Sequence, residues 1–169
     1  MQEAYETALR LADGDNSVTW LSLLGQAGRG KTHLAIAVCR RWLDRGTSAR
    51  YVYVPLLLDQ LREGYNTEQR RNQAGGWWEL PYEKQMQTLR DVGLLILDDL
   101  GAQVPTPWAM ERLGILIDHR YINGLPLMIT CNKALDAIPG DNEGRIASRI
   151  RRMVGSRVVT IDAPEYNPE

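Results

Sequence analysis

An apolar run, Trp20-Leu21-Ser22-Leu23-Leu24, stops at a glycine-rich loop, and a helical pattern starts directly behind it. The loop reads GQAGRGKT over residues 25–32 and fits G-x-x-x-x-G-K-[ST] in full. No bulk property constrains the chain as much as this junction. A buried strand that runs through glycines into a helix belongs to an α/β protein. The rest of the chain repeats the alternation. Strands are expected over 18–25, 49–57, 93–101, 125–132 and 157–163. Helices are expected over 2–12, 31–45, 56–64, 81–92, 106–124 and 143–155. On the first helix Tyr5, Ala8, Leu9 and Ala12 share a side. Thr106, Pro107 and Gly124 mark the start and stop of the fifth. Residues 64–79, polar and then aromatic, read as a loop or irregular insertion. The expectation is a mostly parallel five-stranded sheet between helices, in one domain over residues 1–169.

The loop carries its own chemistry. Gly25, Gly28 and Gly30 let the backbone wrap closely around phosphates and turn N–H groups inward, with Gln26, Ala27 and Arg29 between them. The following helix offers its positive end to the anion. Lys31 can reach β- and γ-phosphates, and the Thr32 hydroxyl can ligate Mg²⁺. Leu94-Leu95-Ile96-Leu97-Asp98-Asp99 supplies the second half of such a site. A carboxylate at the C-terminal end of a buried strand sits where ligands bind in open α/β sheets. Asp98 is the natural partner of Mg²⁺, and Asp99 is placed to orient or deprotonate a water. A strand and a helix intervene between the lysine loop and the aspartates, so another strand should lie between the two site strands. That order suits ATPases with an added catalytic acid better than simple kinases. Asn132, ending the strand 125–132, would bring its amide near the γ-phosphate and the attacking water.

Arg145, Arg149 and Arg152 fall on one helix face at i, i+4 and i+7. They form either a solvated basic face or a source of cations for the γ-phosphate of a neighbouring subunit. The net charge of −1 gives no support for nucleic-acid binding by overall charge. Cys39 and Cys131 have no metal spacing and read as reduced, buried thiols of a cytoplasmic protein. The N-terminus lacks a signal-peptide pattern, and no apolar run is long enough to cross a membrane.

With these residues in hand the chain resembles the AAA+ ATPases of the DnaC/IstB type, bacterial helicase loaders and transposition helpers related to the initiator DnaA. The resemblance rests on residues 20–35, 94–101, 116–132 and 144–153 and extends over nearly the whole chain. It implies a P-loop fold with Walker A at Gly25–Thr32, Walker B at Asp98 and Asp99, and sensor I at Asn132. It implies Arg149, in Ser148-Arg149-Ile150, as an arginine finger acting in trans, with Arg145 second and Arg120 a distant third. It also implies a DNA-touching element over residues 60–80, with Arg62, Arg70, Arg71, Trp77 and Trp78 as contacts. The implied activity is ATP hydrolysis to ADP and phosphate with Mg²⁺. An aspartate rather than glutamate at position 99 implies slow hydrolysis, and the resemblance implies a rate dependent on oligomer or DNA. The implied partners are single-stranded DNA, a DnaB-type replicative helicase and further copies of the chain. Two departures stand out: almost nothing precedes the first strand, where loaders carry a helicase-gripping region, and little follows the last, where many AAA+ proteins carry a helical lid. The rival readings are an IstB-like ATPase acting on duplex DNA with a transposase, a P-loop nucleotide or metabolite kinase, and a module that holds ATP without turnover.

Overall fold

The computed structural model describes residues 1–66 and 80–164. The elements in chain order are α1 (Gln2–Ala12), β1 (Trp20–Leu24), α2 (Lys31–Asp44), β2 (Ala49–Tyr53), α3 (Val54–Asn66), α4 (Tyr82–Asp91), β3 (Leu94–Asp98), α5 (Pro107–Ile122), β4 (Leu127–Cys131), α6 (Arg145–Arg152) and β5 (Ser156–Thr160). The five strands form one sheet in the order β2-β3-β4-β1-β5, and every pairing is parallel. β1, β3 and β4 are buried at every position, as central strands covered on both faces must be. The strand expected between the two site strands is β4. It separates the lysine loop after β1 from the aspartates at the C-terminal end of β3 and brings its own C-terminal end between them.

Two apolar layers flank the sheet. On one face α1 and α2 pack with Leu21, Leu23, Ile96 and Met128. On the other, α3 to α6 pack with Trp20, Leu95, Leu97 and Ile129. Two expectations need correction. The strand expected over 49–57 stops at Tyr53, and α3 begins at Val54. Pro55 falls in the first turn of that helix, where a missing N–H costs nothing, and Val54, Leu57, Leu58 and Leu61 turn inward at helical spacing. In α1 the buried residues are Ala4, Ala8, Leu11 and Ala12, whereas Tyr5 is exposed. The small alanines allow α1 to lie close against α2, which the larger Tyr5 would prevent. The irregular segment read at 64–79 lies mostly outside the described residues, although α3 extends to Asn66.

Arg120 belongs to the core. It is fully buried, and its guanidinium donates to the carbonyls of Leu89, Arg90, Val92, Gly93 and Pro126. It thereby ties α5 to the chain that enters β3 and β4. Burial lowers its pKa to about 10, still far above neutrality. A residue so enclosed cannot reach a neighbouring subunit, which removes Arg120 from the candidate fingers. Arg120→Met is expected to lower the unfolding free energy by roughly 3–5 kcal/mol, because several buried carbonyls lose their donor together. The midpoint of a urea titration measures it.

Candidate functional site

The loop after β1 is held against the sheet by close backbone contact. Gly25 has φ of 140°, and a Cβ there would lie 2.5 Å from the Ile161 carbonyl oxygen, so only glycine fits. Gly30, at φ 82°, turns the chain into α2. Lys31 opens that helix with a side chain only 6% exposed. Its Nζ donates to the carbonyls of Gly25 at 2.6 Å and Gln26 at 2.7 Å. Burial pushes the Lys31 pKa down, while the nearby Asp99 and Asp98 carboxylates oppose that shift. The hydrogen-bond acceptors of this ammonium are neutral, so its charge remains available to an anion in the loop.

Asp98, 3% exposed, is surrounded by hydroxyls from three elements. Thr130 Oγ1, from β4, donates to its Oδ1 at 2.6 Å. Tyr51 Oη, from β2, donates to Oδ2 at 2.6 Å. Thr32 Oγ1 lies 3.2 and 3.1 Å from the two oxygens. Strand order explains the set, since β3 lies between β2 and β4. Burial first, and then the bond to Asp98, push the Tyr51 phenol well above its ordinary range, so it remains a donor. The Thr32 hydroxyl beside the Asp98 carboxylate fits Mg²⁺, which takes one or two protein oxygens and leaves its other positions to phosphate and water. Among the described residues no group of three His, Cys, Asp or Glu side chains could cage a metal by itself. If these two residues hold Mg²⁺, Tyr51→Phe should raise the Mg²⁺ concentration needed for tight nucleotide binding about tenfold. A fluorescent ATP analogue titrated with Mg²⁺ reads this, and its binding in EDTA should not change.

Asp99 is the sole non-glycine residue with positive φ among the described residues, at 58°. That conformation costs roughly 1–3 kcal/mol and persists only where the surroundings impose it. Here Thr130 imposes it: its hydroxyl accepts the Asp99 N–H at 2.8 Å, and its carbonyl accepts the Leu100 N–H at 2.8 Å. The Asp99 carboxylate accepts from Asn132 Nδ2 at 2.6 Å. Burial, and then the charge of Asp98, raise the Asp99 pKa; Lys31 and Asn132 partly offset this. Lys31, Thr32, Asp98, Asp99 and Asn132 all line one cleft of about 310 Å³, together with Gly28 to Gly30, Ala27, Thr130, His33 and Tyr53. Gly25 and Gln26 shape it through the Lys31 contacts.

Arg145 and Arg149 do not line this cleft. They stand on α6, whose N-terminus is capped by Asp141 accepting from Ile146 N at 3.1 Å and Ala147 N at 3.0 Å. Arg149 Nε donates to Asp118 Oδ1 at 2.9 Å, and Arg145 pairs with the other oxygen of the same carboxylate. Arg62 lies over the Trp108 ring, 5.4 Å from its centroid. Arg70, Arg71, Trp77 and Trp78 lie outside the described residues. Tyr51, Tyr53 and Thr130 escaped the sequence reading. The one signal for them is alternation: Tyr51 and Tyr53 share a face of β2, and Thr130 stands two residues before Asn132.

A lysine loop, two strand-end aspartates and an asparagine in one cleft can be compared with known proteins. A family model described as IstB-like ATP binding protein matches residues 13–141. The chain belongs to this family of ATP-binding proteins. A putative ATP-binding protein in an insertion sequence of Mycobacterium tuberculosis is 30% identical over 164 residues, 95% of this chain and 59% of that protein. The replicative helicase loader DnaC of Escherichia coli is 23% identical over 137 residues, 81% of this chain and 52% of the loader. The chain thus spans about half the length of these curated relatives. A crystal structure of the DnaC helicase loader superposes with a TM-score of 0.75 at 23% identity, covering 95% of this chain and 89% of that one. Domain III of the Thermotoga maritima replication initiation protein DnaA gives 0.77 at 17% identity, covering 96% and 62%. The fold is therefore the AAA+ P-loop fold. Among the described residues no helix is long and apolar enough to cross a membrane.

Proposed function

We propose that the chain is the ATP-hydrolysing AAA+ core of a DNA-replication helicase loader, which uses ATP to assemble with further copies of itself on single-stranded DNA and on a DnaB-type replicative helicase. The observation that carries this reading is the make-up of the cleft. It gathers Lys31, Thr32, Asp98, Asp99 and Asn132, yet among the described residues its single arginine is Arg29 of the loop itself. Phosphoryl transfer places charge on the transferred group and gains much from a cation aimed at it. On this reading Arg149 of a neighbouring copy supplies that cation, with Arg145 second.

Within the cleft Lys31 meets the β- and γ-phosphates. Asp99 orients a water and accepts its proton as the water oxygen attacks the γ-phosphorus and ADP departs. Asn132, bonded to Asp99, holds that carboxylate in line. Thr32 and Asp98 would hold Mg²⁺, which when bound draws charge from the phosphate oxygens. Arg62, Arg70, Arg71, Trp77 and Trp78 are the proposed contacts to single-stranded DNA.

A transposition helper acting on duplex DNA with a transposase is the second reading, favoured by the matching family model and by the insertion-sequence relative. ATP turnover per subunit against protein concentration separates the readings. It is expected to rise with concentration and to rise further with single-stranded DNA. Stimulation by duplex alone would favour the transposition helper. Turnover that is flat with concentration and indifferent to DNA would overturn both in favour of a self-contained kinase or hydrolase.

A further inference from the structure

Arg149 is held in an unusual way for a surface arginine. Only its Nε is engaged, on Asp118 Oδ1 at 2.9 Å. Its guanidinium lies 4.9 Å from the centroid of the Tyr121 ring. Tyr121 is fixed in turn by an edge-on contact with the buried Trp20, 6.4 Å between ring centres. The two terminal nitrogens of Arg149 make no hydrogen bond among the described residues. They are the fork with which arginine grips phosphate bidentately. Arg151, on the same helix, makes the contrast: both its terminal nitrogens are spent on Asp136, at 2.7 and 2.6 Å. Asp118 also pairs with Arg145, so two cations share one carboxylate and a net positive charge is left over. Burial alone would raise the Asp118 carboxyl; the hydrogen bonds from Arg149 and Arg145 outweigh it and hold the group low and ionised.

We infer that Asp118 is a positioning residue for phosphoryl transfer in the adjacent subunit: it grips Arg149 by Nε against Tyr121 and so presents the terminal fork to the neighbour's γ-phosphate. This rests on the proposal that Arg149 acts in trans. A pair that merely fastened α6 to α5 would act only on its own subunit, and subunit mixing tells the two apart. Asp118→Asn retains its own nucleotide site but would offer a loose arginine. Lys31→Ala lacks a working nucleotide site but offers an arginine held as in the wild type. Asp118→Asn alone is expected to lose up to about 100-fold in kcat with KM for ATP unchanged, and Asp136→Asn to lose nothing. Excess Lys31→Ala subunits should restore turnover to Asp118→Asn, as they should to Arg149→Ala. Wild-type turnover in Asp118→Asn while Arg149→Ala is inactive would overturn the role of Asp118 and leave the trans arginine standing. So would a loss in Asp118→Asn that is not rescued while Arg149→Ala is. If Arg149→Ala retains its turnover, or loses it and is not rescued, the trans reading falls and this inference with it.

Discussion

Arg149→Ala should lower ATP turnover at saturating protein by about 10³-fold or more, while leaving the affinity for ATP close to wild type. The magnitude follows from what an arginine supplied in trans contributes to phosphoryl transfer, roughly 10³–10⁵ in kcat. The separation of turnover from affinity follows from position. Arg149 does not line its own subunit's cleft, where on the proposed reading Lys31, Thr32 and the loop meet the nucleotide. If Arg149 acts in trans, its charge matters only once a second subunit docks, so the defect should be largest at high concentration and small in dilute protein, where wild type should also be slow. Turnover per subunit measured against concentration for both proteins checks this. Equal curves would mean that the cation comes from elsewhere.

Asp99→Asn should retain ATP binding and lose about 10²–10⁴ in turnover, the usual contribution of a positioned general base. The substitution is nearly isosteric, and asparagine tolerates the positive φ of 58° found at this position, so the backbone should stay as it is. On the proposed reading, what disappears is the acceptor for the water proton. The same carboxylate predicts a pH dependence. Burial and the charge of Asp98 raise its pKa. As pH falls, Asp99 should therefore protonate, and turnover drop, at a pH above the ordinary aspartate value of about 3.9. The base works only when ionised, so the acid limb is the limb affected. Asp99→Asn should lack that limb in a kcat profile collected where the protein remains folded.

Lys31, Thr32, Asp98, Asp99 and Asn132 were legible because each carries its position in the chain locally. GQAGRGKT needs nothing beyond its own spacing to define a loop, since glycines, helix start and lysine are consecutive. Asp98, Asp99 and Asn132 end apolar runs, and a parallel sheet brings the C-terminal ends of its strands to one edge. The alternation of strands and helices fixed the fold class for the same reason, and even the need for a strand between β1 and β3 could be read from their order. Single helix faces were harder. Tyr5 looked apolar enough to turn inward, but packing against α2 selects small side chains there.

Tertiary structure alone decided which side chains act on which. Tyr51 and Thr130 reach Asp98 because β3 lies between β2 and β4, a neighbour relation that no local pattern contains. Arg120 and Arg149 look alike in the sequence, two arginines on predicted helices. The fold encloses one among five backbone carbonyls and engages the other at a single nitrogen, its two terminal nitrogens making no hydrogen bond among the described residues. Sequence spacing specifies backbone geometry within an element, where covalent connection sets distance. Burial and partnership depend on which elements pack together, and that is settled only when the sheet and its two helical layers close around a common core.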